Sequence, residues 1–138
     1  MNMDMKKITL YLTMLMLAVA SAAWAQDKPI IKFKATSHDF GKFSEESAVV
    51  SHVFEFTNDG KAPLVIHQAV ASCGCTVPTY TQEPILPGKK GQIKVTYNGT
   101  GRYPGHFRKS ITIRTNGEPE MMRLFIEGEM TTKEAKAE

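Results

Sequence analysis

Cysteine and tryptophan are nearly missing from this sequence, with two of the first and one of the second in 138 residues. Two cysteines cannot build the several-bridge framework of a small disulfide-stapled domain. The tryptophan, Trp24, falls in a segment expected to leave the chain, so a Cys…Trp…Cys core of the antibody kind is excluded. Charge of one sign is scarce too: the formal net charge is +3, and no like-charge run exceeds a dipeptide. A nucleic-acid interface wants a basic stripe, and Lys89-Lys90 and Arg108-Lys109 are too sparse to supply one. Beyond residue 26 no amphipathic helix of useful length is written into the pattern. There is no G-x-S-x-G elbow, no C-x-x-C, no C-x-x-C-H and no H-x-x-x-H, and the carboxylates form no spaced pair that demands acid–base work. Conventional hydrolysis, covalent haem attachment and helix-borne zinc chemistry are all unsupported.

What is present begins with a leader. Lys6 and Lys7 precede an uncharged apolar run over residues 8–20, and Ala23 and Ala25 then give an A-x-A ending. That is the build of a secretory signal peptide, with the cut expected after Ala25. The run is shorter than the ~20 apolar residues a membrane span needs. No cysteine stands at the cut to carry a lipid. Residues 1–25 are therefore read as signal peptide, 26–130 as one folded domain and 131–138 as a flexible polar tail. The mature protein is expected to be secreted or periplasmic, with no membrane insertion after cleavage.

The mature chain alternates with period two. Residues 49–56 put Val50, His52, Phe54 and Phe56 on one face. Residues 64–70 put Leu64, Ile66 and Val70 together. Ile93, Val95 and Tyr97 form a third such set, Phe107, Ile111 and Ile113 a fourth, and Met122, Leu124 and Ile126 a fifth. Side chains alternate faces along a strand, so these are half-buried strands. Gly/Pro/Asn/Asp clusters separate them, including Asn116-Gly117, a hairpin signal. The expectation is an all-β chain: a single Ig-like antiparallel β-sandwich of about seven strands. Phe54, Phe56, Leu64, Ile66, Ile93, Val95, Phe107, Ile111, Ile113, Leu124 and Ile126 should build its core.

Both cysteines stand in Ala-Ser-Cys-Gly-Cys-Thr-Val-Pro, residues 71–78, with only Gly74 between Cys73 and Cys75. Residues i and i+2 of an ideal strand lie ~7 Å apart, at the upper limit for a disulfide, so the ring requires a bend that Gly74 can supply. A three-residue loop is worth only roughly 1.6 kcal/mol by chain entropy, so such a bond is a weak staple. A local disulfide, redox-active thiols, metal ligation and reduced cysteines all stay open. Metal ligation would need more donors than two thiolates, and His67 is the nearest in sequence. Copper(I) can make do with two soft ligands. No cofactor is called for.

Taken together, residues 38–43 (His-Asp-Phe-Gly-Lys-Phe), 49–66, 71–78, 84–116 and 124–130 resemble the bacterial domain-of-unknown-function 1573 family over about residues 30–130. The motif positions carried by that resemblance are Asn58, Gly60, Cys73, Gly74, Cys75, Pro87, Gly88 and Gly105, the glycines, Asn58 and Pro87 being turn-forming. The resemblance implies a secreted or periplasmic β-sandwich, distantly related to Ig-like scaffold modules of sperm-protein-like and cilium-associated domains, and implies no activity. The reading that follows is an exported, non-enzymatic binding or structural module with another protein or a cell-envelope component as partner. Strand addition at an open sheet edge is its expected binding mode. The rival is a periplasmic thiol-redox or copper-handling protein acting through Cys73 and Cys75.

Overall fold

A computed structural model describes residues 4–20 and 27–133 of the chain. The apolar run near the start of the chain is helical, as α1, Met5–Ala20. Among the described residues no helix is long and apolar enough to cross a membrane. The expected cut after Ala25, and Trp24, lie outside the described residues.

The rest is a two-sheet, Ig-like β-sandwich. Its strands are β1 (Ile31–Phe33), β2 (Ser37–Ser44), β3 (Val49–Asn58), β4 (Ile66–Ala71), β5 (Thr76–Tyr80), β6 (Lys90–Asn98), β7 (Gly105–Thr115) and β8 (Met121–Thr131). One sheet has the order β1-β3-β6-β5, the other β2-β8-β7-β4. Among the described residues there are eight strands, in keeping with the expected seven or so, and the first extended stretch, residues 31–44, is divided between the sheets. β1 pairs with β3 through Phe33, the chain leaves that sheet over Lys34, Ala35 and Thr36, and β2 joins the other sheet beside β8. The direction of travel is kept across the switch, and β2 therefore lies parallel to β8 while every other strand pair is antiparallel. This one parallel ladder departs from the all-antiparallel expectation.

All eleven residues expected in the core are buried there. Phe54, Phe56, Ile93 and Val95 face inward from the first sheet and Ile111, Ile113, Leu124 and Ile126 from the second, each at most 1% exposed. Ile31, Ile85 and Tyr97 join them. Val70 does not. It is 48% exposed, and Ala69 and Ala71 pack inward in its place. The cause is a register shift between Ile66 and Gln68 in the β4–β7 ladder. One extra residue in a strand reverses the facing of everything after it. Thr131 ends β8, its Oγ1 donates to Phe43 O, and Lys133 N donates to Glu45 Oε1, while residues 134–138 of the expected tail lie outside the described residues.

Asn58 fixes the end of the sandwich where β1 and β3 meet. It is fully buried. Its Nδ2 donates to Ala62 O at 2.7 Å and to Ile85 O at 2.8 Å, and its Oδ1 accepts from Ile30 N at 3.3 Å and Gly60 N at 3.0 Å. One side chain thus satisfies four main-chain groups in segments that no continuous ladder joins. A Cβ on Gly60 would run into the backbone of residues 28–30, which is why glycine stands there. Nearby, Pro87 and Gly88 occupy the centre of a turn closed by Lys89 N to Leu86 O, with Gly88 at φ +78°; that is a type II turn, which needs glycine at its third position. Gly105, at φ +141°, opens β7. Replacing Asn58 with alanine strands buried main-chain donors and acceptors, each costing about 1–3 kcal/mol when left unpaired. Urea unfolding of Asn58→Ala should show a loss of about 3 kcal/mol or more; a loss below about 1 kcal/mol would contradict the anchoring role.

Candidate functional site

The Cys-Gly-Cys stretch is the crossing from β4, an edge strand of one sheet, to β5, an edge strand of the other. Ser72 N donates to Ser110 O on the β7 side, and Asn98 N donates to Cys75 O on the β6 side, so each end of the crossing is held by a different sheet. Thr76 N closes back on Cys73 O at 3.3 Å, making a turn with Gly74 and Cys75 at its centre. The bend brings the two Cα atoms to 5.3 Å, and the sulfurs are joined as a disulfide. Neither central residue has positive φ, and a Cβ on Gly74 would touch nothing. The bend therefore does not depend on glycine's conformational freedom, unlike the expectation drawn from spacing: a turn with negative φ at both central positions accommodates most residues.

The two sulfurs have different surroundings. Cys75 is 5% exposed and belongs to the core, whereas Cys73 is half-buried at its margin. Thr76, itself buried, places Oγ1 3.6 Å from Cys75 Sγ and 3.9 Å from Cys73 Sγ. His67 is not part of this arrangement. It is exposed near the start of β4, and the strand carries the chain away from it as far as Ala71 before the Cys-Gly-Cys turn begins. Among the described residues no group of three His, Cys, Asp or Glu side chains comes together. The three-donor route through Cys73, Cys75 and His67 is thus overturned by strand length.

A second constellation was not visible as such in the sequence. His38 on β2 and His52 on β3 stack across the gap between the sheets, ring centroids 3.6 Å apart and planes 5° apart. Phe40 and Phe54 meet them edge-on. His52 is therefore not the lone near-core histidine that its strand alone suggests. The signal was the His-x-Phe spacing present in both strands (residues 38–40 and 52–54), which puts an imidazole and a phenyl ring on one face twice. Beside this stack a shallow cleft of about 270 Å³ is lined by Lys34, Ala35, His52, Val53, Phe54 and Glu55. Lys34 and Glu55 are ion-paired at 3.4 Å on its rim. A broader depression on the outer face of the other sheet gathers Ser72, Ser110, Thr112, Arg114 and Arg123.

Residues 31–130 match the model of the protein-of-unknown-function family DUF1573. The chain belongs to that family. The match covers every strand of the sandwich and ends one residue short of the last strand's end. No curated protein matches this DUF1573 chain. Among solved structures it is similar to a protein of unknown function from Porphyromonas gingivalis W83, with 17% identity, TM-score 0.64, and coverage of 79% of this chain and 50% of that one. The DUF1573 chain thus spans half the length of that protein. It is also similar to the ASH/PapD-like domain 7 of human CEP192 (10% identity, TM-score 0.61, 76% of this chain and 87% of that one). A third likeness is to the E. coli chaperone DraB (12% identity, TM-score 0.51, 75% and 55%). At these identities the likenesses bear on the fold alone, and they establish the DUF1573 chain as an Ig-like β-sandwich.

Burial, and after it the neighbouring His38 imidazole, hold His52 below the ordinary histidine value. A histidine with a depressed folded value favours the neutral fold: above the unfolded value of ~6.5 it costs nothing, and as pH falls through ~6.5 the unfolded chain takes up a proton the folded one refuses. Stability should fall as pH drops below ~6.5, and His52→Gln should flatten that decline. Urea midpoints between pH 8 and pH 5 check this (about three pH units spanning the ~6.5 reference); parallel profiles for the two proteins would contradict it.

Proposed function

We propose that the mature chain is an exported, non-enzymatic binding or structural module that recognises another protein or a cell-envelope component. The observation that carries this reading is the placement of the one chemically distinctive feature, the cysteine pair, as the join between two sheets, with Cys75 in the core. A group spent on closing the fold leaves the strands and their edges as the surface through which the domain acts. The cationic, apolar, helical leader supports export. The fold shared with a bacterial chaperone supports a protein partner.

A second reading, thiol exchange or copper handling at Cys73 and Cys75, has the half-buried Cys73 in its favour. An incoming thiolate would attack Cys73 Sγ and expel Cys75 as a thiolate beside the Thr76 hydroxyl, leaving a mixed disulfide that a second thiol resolves to the dithiol and an external disulfide. The two readings part on the variant Cys73→Ser/Cys75→Ser. The module reading expects it to fold with a stability loss of roughly 1–2 kcal/mol and to retain the same envelope partners as wild type in cross-linking and mass spectrometry. Outright loss of those partners in a folded variant would move the thiol reading to first place.

A further inference from the structure

The division of the first strand leaves β3 incompletely covered. β1 pairs with residues 56–58 only, and Lys34 N adds one bond to Glu55 O. Asn58 N and O bond toward β6, to Lys89 and Gly88, and Ala48 O accepts from Gly99 N on the same side. Even-numbered residues of β3 therefore direct their main-chain groups to β6, and odd-numbered ones direct theirs away from it, since both groups of a residue in an antiparallel ladder point one way. Beyond Glu55 the outward N–H and C=O of Val49, Ser51 and Val53 meet no strand among the described residues, where the neighbours of β3 are β1 and β6. Their side chains are exposed as well.

The other edges are guarded in the ways that natural sheets use against unwanted pairing. β1 is three residues long with Lys32 exposed. β2 carries Asp39, Lys42 and a register shift between them. β4 has its own shift, and β5 contains Pro78. Residues 49–54 read Val-Val-Ser-His-Val-Phe, without a carboxylate, lysine, proline, glycine or bulge.

We propose that the uncovered edge of β3, residues 49–54, receives an extended, proline-free segment of another protein as an added strand, one of whose large apolar side chains seats in the cleft beside His52 and Phe54. This rests on the binding-module reading and names its surface. Added strands gain affinity from main-chain bonds and specificity from pockets for alternate side chains. The cleft of about 270 Å³ lies below the ~300–1,000 Å³ of small-molecule sites, and suits one side chain. A second copy fits less well. Paired two-fold about Ser51, it would present its own Ala48 and Val50 to the cleft, too small to fill it, over an edge contact short of the ~1,000 Å² that stable interfaces need.

The test is an amide-resolved NMR titration of the mature protein with a capped six-residue peptide of alternating threonine and valine, one valine replaced by phenylalanine, up to about 1 mM. The expected result is a set of shifts centred on Val49, Ser51 and Val53. Ser51→Pro removes an N–H that faces away from β6, so the β3–β6 ladder survives. Besides that N–H, the substitution takes away the exposed hydroxyl–hydroxyl bond between Ser51 and Thr96. It should weaken the peptide by about tenfold or more. The same peptide N-methylated on its pairing edge should bind the unaltered protein as poorly, which keeps the test decisive if the proline variant fails to fold. Shifts on β4 or β5, no shifts at all, undiminished binding of the methylated peptide, or concentration-dependent self-pairing through the same amides would each overturn the assignment. Should the edge fail while the cysteine-free protein keeps its envelope partners, the module reading stands and only its surface is wrong.

Discussion

The first extended stretch, residues 31–44, borders both sheets as β1 and β2, and it is too short to border either along its whole length. After Phe33 the chain must choose, and it crosses at Lys34–Thr36 to run parallel with β8. That crossing ties the two sheets at one side of the sandwich, as the Cys-Gly-Cys crossing ties them at the other. It also opens the gap in which His38 and His52 stack, the cleft beside them, and the uncovered edge of β3. Asn58 holds the other end of β1, where the chain enters the sandwich, through bonds to residues 30, 60, 62 and 85. The site is thus a consequence of how the border strand is shared, and no special residue is needed to create it.

The relative sizes of the forces assign the roles. Truncating one buried isoleucine or leucine of this core to alanine costs about 2–5 kcal/mol, more than the roughly 1.6 kcal/mol of the three-residue disulfide ring. The ring is therefore a local fastening for the sheet crossing, and burial of two facing apolar layers carries the stability. An uncovered strand edge is tolerable in such a fold because its main-chain groups stay hydrated, so they cost nothing until a partner replaces the water.

Much of this was legible in the sequence, for a physical reason. Where one strand face is buried and the other wet, hydrophobic period two records the facing directly, and Phe54, Ile93, Val95, Ile111, Ile113, Leu124 and Ile126 follow from it without error. Val70 failed because a bulge changes parity without leaving a mark in composition. β2 was missed as a strand because Gly41, at φ +68°, and the shift around it break the alternation of residues 37–44. The repeated His-x-Phe spacing gave the two ring pairs but not their stacking, which depends on which strands face each other, a property of topology and not of either segment. The Cys-Gly-Cys motif was plain, yet its place at a sheet crossing was not, because spacing says nothing about which sheets the flanking strands join.

The uncovered edge of β3 decides where the domain is proposed to bind, and amide hydrogen exchange in the isolated protein measures it most directly. Val50, His52 and Phe54, bonded to β6, should exchange slowly, and Val49, Ser51 and Val53 should exchange faster by about a hundredfold or more. Equal protection at all six amides would mean that this edge is already covered, and the account of where the domain binds would be wrong.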